Sequence, residues 1–180
     1  MLMDRRCASL LVVDVQERLL PAIDDGAAVL DHCVWLVRVA RQLGVPVVLS
    51  EQYPQGLGPT ATALQEAAGD AAVVYKTAFS CVADGSLSGT PVDARRQVVV
   101  TGTEAHVCVL QTALGLRWQG KEVFVVAEAV GSRKPADKEL ALARMRAHGI
   151  EVVSREMVAF EWMERCTAPE FRTVSRNFIR

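Results

Sequence analysis

Residues 97–120, QVVVTGTEAHVCVLQTALGLRWQG, join an apolar run, a sharp turn and an amphipathic stretch at a single cysteine. Val98, Val99 and Val100 are contiguous and β-branched, the pattern of a strand buried on both faces. From Val107 onward the apolar positions Val107, Leu110, Leu114 and Trp118 recur at helical spacing, which places Cys108 in the first turn of a helix. A helix start offers unpaired N–H groups and the positive end of the dipole, which lower a thiol's pKa and can receive an oxyanion. A lone cysteine in a helix is more often simply buried, so the flanking sequence has to decide between structure and chemistry.

Outward from this elbow the chain alternates strand and helix. Towards the N-terminus, Ser9–Val13 is an apolar run ending on Asp14, Ala27–Leu43 carries a broad helical stripe closed by Gly44, and Val45–Leu49 is the next strand. Ser50–Thr60 is turn-rich, Thr62–Ala68 reads as a short helix, and the strand Ala72–Tyr75 delivers Lys76. Cys81–Gln97 is irregular, broken by Gly85, Gly89 and Pro91. Towards the C-terminus come the strand Glu122–Ala127, the helix Ala136–His148, the strand Ile150–Val153 and a helix over about Glu156–Arg165. The tail 167–180 has too little apolar periodicity to assign. Six strands alternating with helices predict an α/β fold with parallel strands, within one domain spanning 1–180.

The bulk properties narrow the partners. Twenty basic against twenty-one acidic residues leave a net charge of −1 with no basic cluster, which argues against nucleic acid. The five cysteines, at 7, 33, 81, 108 and 166, show no CxxC and no Cys/His pair at ligand spacing, so a reducing, cytoplasmic setting is expected. The N-terminal MLMDRRCASLLVV imitates a signal peptide, but Asp14 ends the apolar run and no small-residue cleavage site follows. No stretch is long enough to span a membrane. At 51% hydrophobic residues the chain has material for a large core or a subunit interface.

In a parallel sheet all strand carboxyl ends share one edge, so Asp14, Lys76 and the turn before Cys108 can converge although they are distant in sequence. Taken singly, Asp14 could be a helix cap or a solvated acid and Lys76 a surface residue. Their joint placement at one rim is what points to a site.

With LLVVDVQERLL around Asp14, SEQYPQGLG after the second strand, VYKTAFS around Lys76 and GTEAHVCVLQTA around Cys108, nearly the whole chain resembles the isochorismatase-like cysteine hydrolases, the superfamily that includes nicotinamidases. EQYPQGLG and GTEAHVCVLQTA are most similar to its isochorismatase domain-containing subgroup, whose substrates are largely unassigned. The resemblance implies a three-layer α/β/α sandwich around a six-stranded parallel sheet, Rossmann-like, with a catalytic triad of Asp14, Lys76 and Cys108, a cis Thr103–Glu104 peptide and a homo-oligomer. Nicotinamidases carry Asp and His metal ligands after the second strand; here Ser50-Glu51-Gln52-Tyr53-Pro54 holds no histidine, so neither a metal nor another cofactor is expected. Isochorismatases proper lack the nucleophilic cysteine, so Cys108 points to acyl chemistry on a small amide or related carbonyl.

The expected cycle is attack by Cys108, a thioester, and hydrolysis by water. Asp14 serves as general base and acid, Lys76 holds Asp14 and favours the thiolate, and the backbone N–H groups of Glu104 and Cys108 form the oxyanion hole. Gln16, Tyr53, Phe79 and His106 are candidate pocket walls by analogy of position. Two rivals stand beside this reading: a catalytically silent oligomeric scaffold of the same fold, and a thiol redox protein, for which the sequence reveals no resolving cysteine.

Overall fold

The computed structural model describes residues 1–179. Six strands, β1 (Ala8–Val13), β2 (Val47–Gln52), β3 (Ala72–Lys76), β4 (Gln97–Thr103), β5 (Glu122–Gly131) and β6 (Glu151–Val153), form one sheet among the described residues, in the order β3-β2-β1-β4-β5-β6. Every neighbouring pair is parallel. The side-chain period of two divides each inner strand between two cores. Leu10 and Val12 of β1, Val99 of β4 and Phe124 of β5 face one core with the helices Gly26–Gln42, Thr62–Ala68 and Arg155–Met163. Leu11 and Val13, Val98 and Val100, and Val123 and Val125 face the other, with the helices Leu110–Trp118 and Pro135–Ala147. The result is the expected three-layer sandwich.

Three expected boundaries moved by three residues or more. The second strand does not stop at Leu49 but continues through Ser50, Glu51 and Gln52. These polar residues stay in the sheet because their side chains are bonded: Glu51 accepts from Thr60 N–H (2.7 Å) and Thr60 hydroxyl (2.8 Å). The strand beginning at Glu122 runs on to Gly131, past an irregularity opposite Val100–Gly102. The regular helix after the elbow begins at Leu110, not Val107, because Val107 and Val109 both turn their N–H groups back to the Glu104 carbonyl, making a wide turn over Ala105–Val109. The unassigned tail returns to the body: Val174 is buried in the first core, and Trp35 donates its indole N–H to the Phe178 carbonyl at 2.8 Å.

The site edge depends on one glycine. Gly102 has φ +112°, and a Cβ there would lie 2.0 Å from the Val13 carbonyl oxygen. Only glycine lets β4 pass this close to the end of β1, where Asp14 leaves the sheet.

Candidate active site

At the carboxyl edge, β1 and β4 are adjacent while their onward connections go to opposite faces, the switch point where open α/β sheets form clefts. Register places Val13 beside both Ser50 and Gly102, Gln52 beside Lys76, and Thr103 beside Gly131. Five strand ends therefore contribute to one rim.

Asp14 is fully buried and leaves β1 with φ +51°. Its carbonyl accepts from the Thr103 hydroxyl at 2.7 Å, and its N–H donates to the Ser50 carbonyl at 3.1 Å, so the turn is held from both neighbouring strands. Its carboxylate accepts from Lys76 Nζ at 2.6 Å and from Ser50 Oγ at 2.6 Å. The Lys76 and Asp14 side chains are both wholly buried. Burial pushes the Asp14 carboxyl up, against the pull of Lys76 and of the Ser50 hydroxyl. A base shifted in that direction is a better proton acceptor than an exposed aspartate.

Cys108 sits in the wide turn with 4% of its surface exposed. Its thiol is pushed up to about 12, first by burial and then by the negative charge of Asp14, with Lys76 pulling the other way. This corrects the sequence expectation that the helix start and the lysine together would favour a thiolate. Desolvation and the charge of Asp14 penalise the charged form more than Lys76 rewards it. Burial thus favours the thiol form of Cys108 in the resting site.

The other expected residues distribute unevenly. Glu104, at the cis Thr103–Glu104 peptide, accepts from Arg133 Nε at 2.6 Å. His106 is half-buried, with Nδ1 2.9 Å from the buried Ser132 hydroxyl. Tyr53, 55% exposed, lines a cavity of about 580 Å³ together with Tyr75, Lys76, Thr77 and Asp84, while Phe79 is 54% exposed. Gln16 is not a wall. It is fully buried, and its amide accepts from the Gln52 N–H (2.8 Å) and donates to the Gln52 (3.0 Å) and Gly58 (2.7 Å) carbonyls, which fastens the loop after β2. The carboxylate of Glu51 is committed to Thr60.

Sequence reasoning missed Ser50, Gln52 and Cys81. Ser50 and Gln52 bond the two charged groups, with Gln52 Oε1 accepting from Lys76 Nζ at 2.6 Å. Their two-residue spacing at a strand end would have placed both on one face had the strand been extended that far. Cys81 is fully buried at the start of a one-turn helix, where its N–H donates to Thr112 Oγ1 at 3.0 Å. Its thiol is pushed up by burial and by the charge of Asp14, so it shares the field of the site. No local signal marked it.

The isochorismatase domain model matches residues 8–157, from β1 through the start of the last long helix. The chain belongs to the isochorismatase family. Isochorismatase domain-containing protein 1 of Danio rerio is 39% identical over 170 residues, covering 93% of this chain and 59% of the relative, so the chain spans rather more than half of that protein's length. Among solved structures, one described as the MAR1 ribonuclease of Caenorhabditis elegans superposes with a TM-score of 0.92 at 30% identity, covering 98% of this family member and 91% of that chain. The YcaC gene product of Escherichia coli, described as an octameric hydrolase of unknown specificity, shares the fold with a TM-score of 0.90 at 24% identity, over 99% of this chain and 91% of its own. Within this family fold, no helix among the described residues is long and apolar enough to cross a membrane.

Proposed function

We propose that this isochorismatase-family protein is a metal-independent cysteine hydrolase of small amides or related carbonyl compounds. The observation that supports the reading is the buried Asp14–Lys76 contact of 2.6 Å, between two groups from β1 and β3 whose charges both act on the thiol of Cys108 after β4. Two unlike charges buried without solvent are costly to assemble, and perturbed titratable groups in a strand-end cleft point to chemistry.

In the proposed cycle substrate binding excludes the remaining water and Asp14 takes the proton from the Cys108 thiol. The sulfur attacks the carbonyl carbon, and the oxygen's charge is received by the N–H groups of Glu104 and Cys108, each such donor being worth about 3–4 kcal/mol in measured enzymes. Asp14 returns the proton to the departing nitrogen as the C–N bond breaks and a thioester forms. Water, activated by Asp14, then releases the acid and restores the thiol. Lys76 remains cationic throughout, facing whichever of Asp14 or Cys108 carries the negative charge. The thiol proton stays in place until the substrate arrives, which suits a nucleophile that must not react with passing oxidants.

Tyr53, Phe79 and His106 are proposed as walls of the substrate pocket, and the five unpaired cysteines suit a reducing, cytoplasmic setting. A homo-oligomer is proposed on the octameric description of the YcaC neighbour. The test is a panel of small amides, with an RNA substrate alongside because of the description of the nematode neighbour, followed by mass spectrometry of the quenched enzyme. An acyl adduct on Cys108 that forms and decays at the turnover rate supports the reading. Turnover with no adduct, or cleavage of RNA alone, refutes it.

A further inference from the structure

Lys76 has a second partner that the triad leaves out. Its side chain is wholly buried, and Nζ donates to Gln52 Oε1 at 2.6 Å as well as to Asp14. The Gln52 amide cannot be turned the other way: its Nε2 donates to the Thr77 carbonyl at 2.8 Å, and a flipped amide would set N–H against an ammonium. The backbone on both sides of that side chain is clamped by the Gln16 amide at 2.8 and 3.0 Å. Gln16 thus fixes Gln52, Gln52 fixes the ammonium, and the ammonium faces the acid and the thiol.

We infer that Gln52 is a positioning residue for Lys76, holding the ammonium in place while the negative charge passes between Asp14 and Cys108. The inference rests on the proposed role of Lys76 in the triad. In the first chemical step a proton leaves Cys108 Sγ for the Asp14 carboxylate, so Asp14 becomes neutral and the sulfur anionic. The ammonium's anionic partner changes at that moment, and a buried ammonium cannot draw on water to bridge the interval. Gln52 Oε1 is a neutral acceptor that the transfer leaves untouched. It is the one contact of Nζ that is the same before and after.

The charged and titratable groups that act on Lys76 or share its surroundings are Asp14 from β1, Glu51 from β2, Tyr53 from the loop after β2, Tyr75 from β3, Asp84 and Cys81 from the one-turn helix after β3, and Cys108 from the elbow. Glu51 is committed to Thr60, and Asp84 accepts from the Thr77 and Ala78 N–H groups. Of the two acceptors bonded to Nζ among the described residues, Gln52 is the one that adds no charge to repel the thiolate.

The experiment measures iodoacetamide alkylation of Cys108 by peptide mapping at several pH values between 7 and 10, in the full-length protein and in the variants Gln52→Glu, Gln52→Leu and Lys76→Ala, with a thermal melt of each. Gln52→Glu keeps the size and shape of the residue, so folding is retained even if Gln52→Leu loosens the loop. With an added carboxylate competing for the ammonium, alkylation in Gln52→Glu should be slower than wild type by about tenfold to a hundredfold at every pH, the span expected for a hydrogen bond to a charged group. Gln52→Leu should fall between the two. A purely structural role predicts the opposite sign, because a looser loop exposes Cys108 and speeds alkylation. An unchanged or faster rate in Gln52→Glu, with Lys76→Ala slowed, overturns the role of Gln52 and leaves the triad standing. An unchanged rate in Lys76→Ala overturns the triad role of the lysine itself, and the inference with it.

Discussion

Cys33 and Cys108 lie on opposite faces of the same sheet, and both thiols are pushed up to about 12. The causes differ. Cys33 is enclosed by the first core, its Sγ 3.4 Å from the Ala129 carbonyl, and burial is the dominant cause there. At Cys108 burial also leads, but the next largest influences are the charges of Asp14 and Lys76, opposed in sign. The comparison teaches that an elevated thiol is not evidence against a nucleophile. What separates the two faces is whether the elevation can be relieved by moving a proton to a neighbour, and only the Cys108 face provides that neighbour.

The largest expected effect separates the faces by activity. Cys108→Ser, Asp14→Asn and Lys76→Ala should each lower single-turnover hydrolysis by about a thousandfold or more, and double variants should lose little beyond the worse single, since the groups act in one step. Cys33→Ala should retain turnover near wild type. Strict multiplication of the separate losses, or an active Cys108→Ser, would break the distinction.

Next in size is a pair of opposite signs. Asp14's charge holds the Cys108 proton on, whereas Lys76 favours its loss. Asp14→Asn should therefore speed iodoacetamide alkylation of Cys108 by about tenfold while abolishing turnover, and Lys76→Ala should slow it by a similar factor. Cys33 should respond to neither substitution. If both variants move Cys108 in the same direction, the charge account of its thiol is wrong and burial alone explains it, as for Cys33.

A smaller effect concerns the wild-type protein. The exposed Cys166 should be alkylated before either buried thiol at pH 8, and the Cys108 rate should keep rising with pH through 10 because the thiolate fraction grows until about 12. A plateau below pH 8 would restore the preformed thiolate expected from the helix start.

The smallest effect is one the two thiols should share. Both carry a folded-state pKa raised from 9.0 to about 12, so their contribution to stability is intact below pH 9 and is lost as the pH climbs through that interval, where the unfolded chain releases a proton that the folded chain retains. Melting temperature should fall more steeply between pH 9 and 11 in wild type than in Cys33→Ala or Cys108→Ser. Equal slopes in all three would show that neither thiol is held in its protonated form by the fold.

Much of the architecture was legible because its signals are local. Valine runs at 98–100, the helical stripe of 27–43 and the turn residues between them announce strand, helix and connection within a dozen residues each, and alternation then implies a parallel sheet with one functional edge. The meeting of Asp14 and Lys76 could be anticipated because both end strands of that sheet. The end of β2 was misread because Ser50, Glu51 and Gln52 are polar, and a polar strand end is recognisable only once its partners are known. Gln16 was assigned to the pocket for its position beside Asp14, yet its amide is spent on the backbone of Gln52 and Gly58, residues 36 and 42 positions away.

By itself the sequence determined the order of strands and helices, where the apolar runs stop and which chemical groups stand at those stops, since periodicity and turn chemistry are properties of neighbouring residues. Only the tertiary structure decided the upward push on the Cys108 thiol, the partnership of Gln52 with Lys76 and the presence of Cys81 in the same field. Each of these depends on desolvation and on charges acting through space between segments far apart in the chain, and a low-dielectric interior turns small differences in that arrangement into the sign of the result.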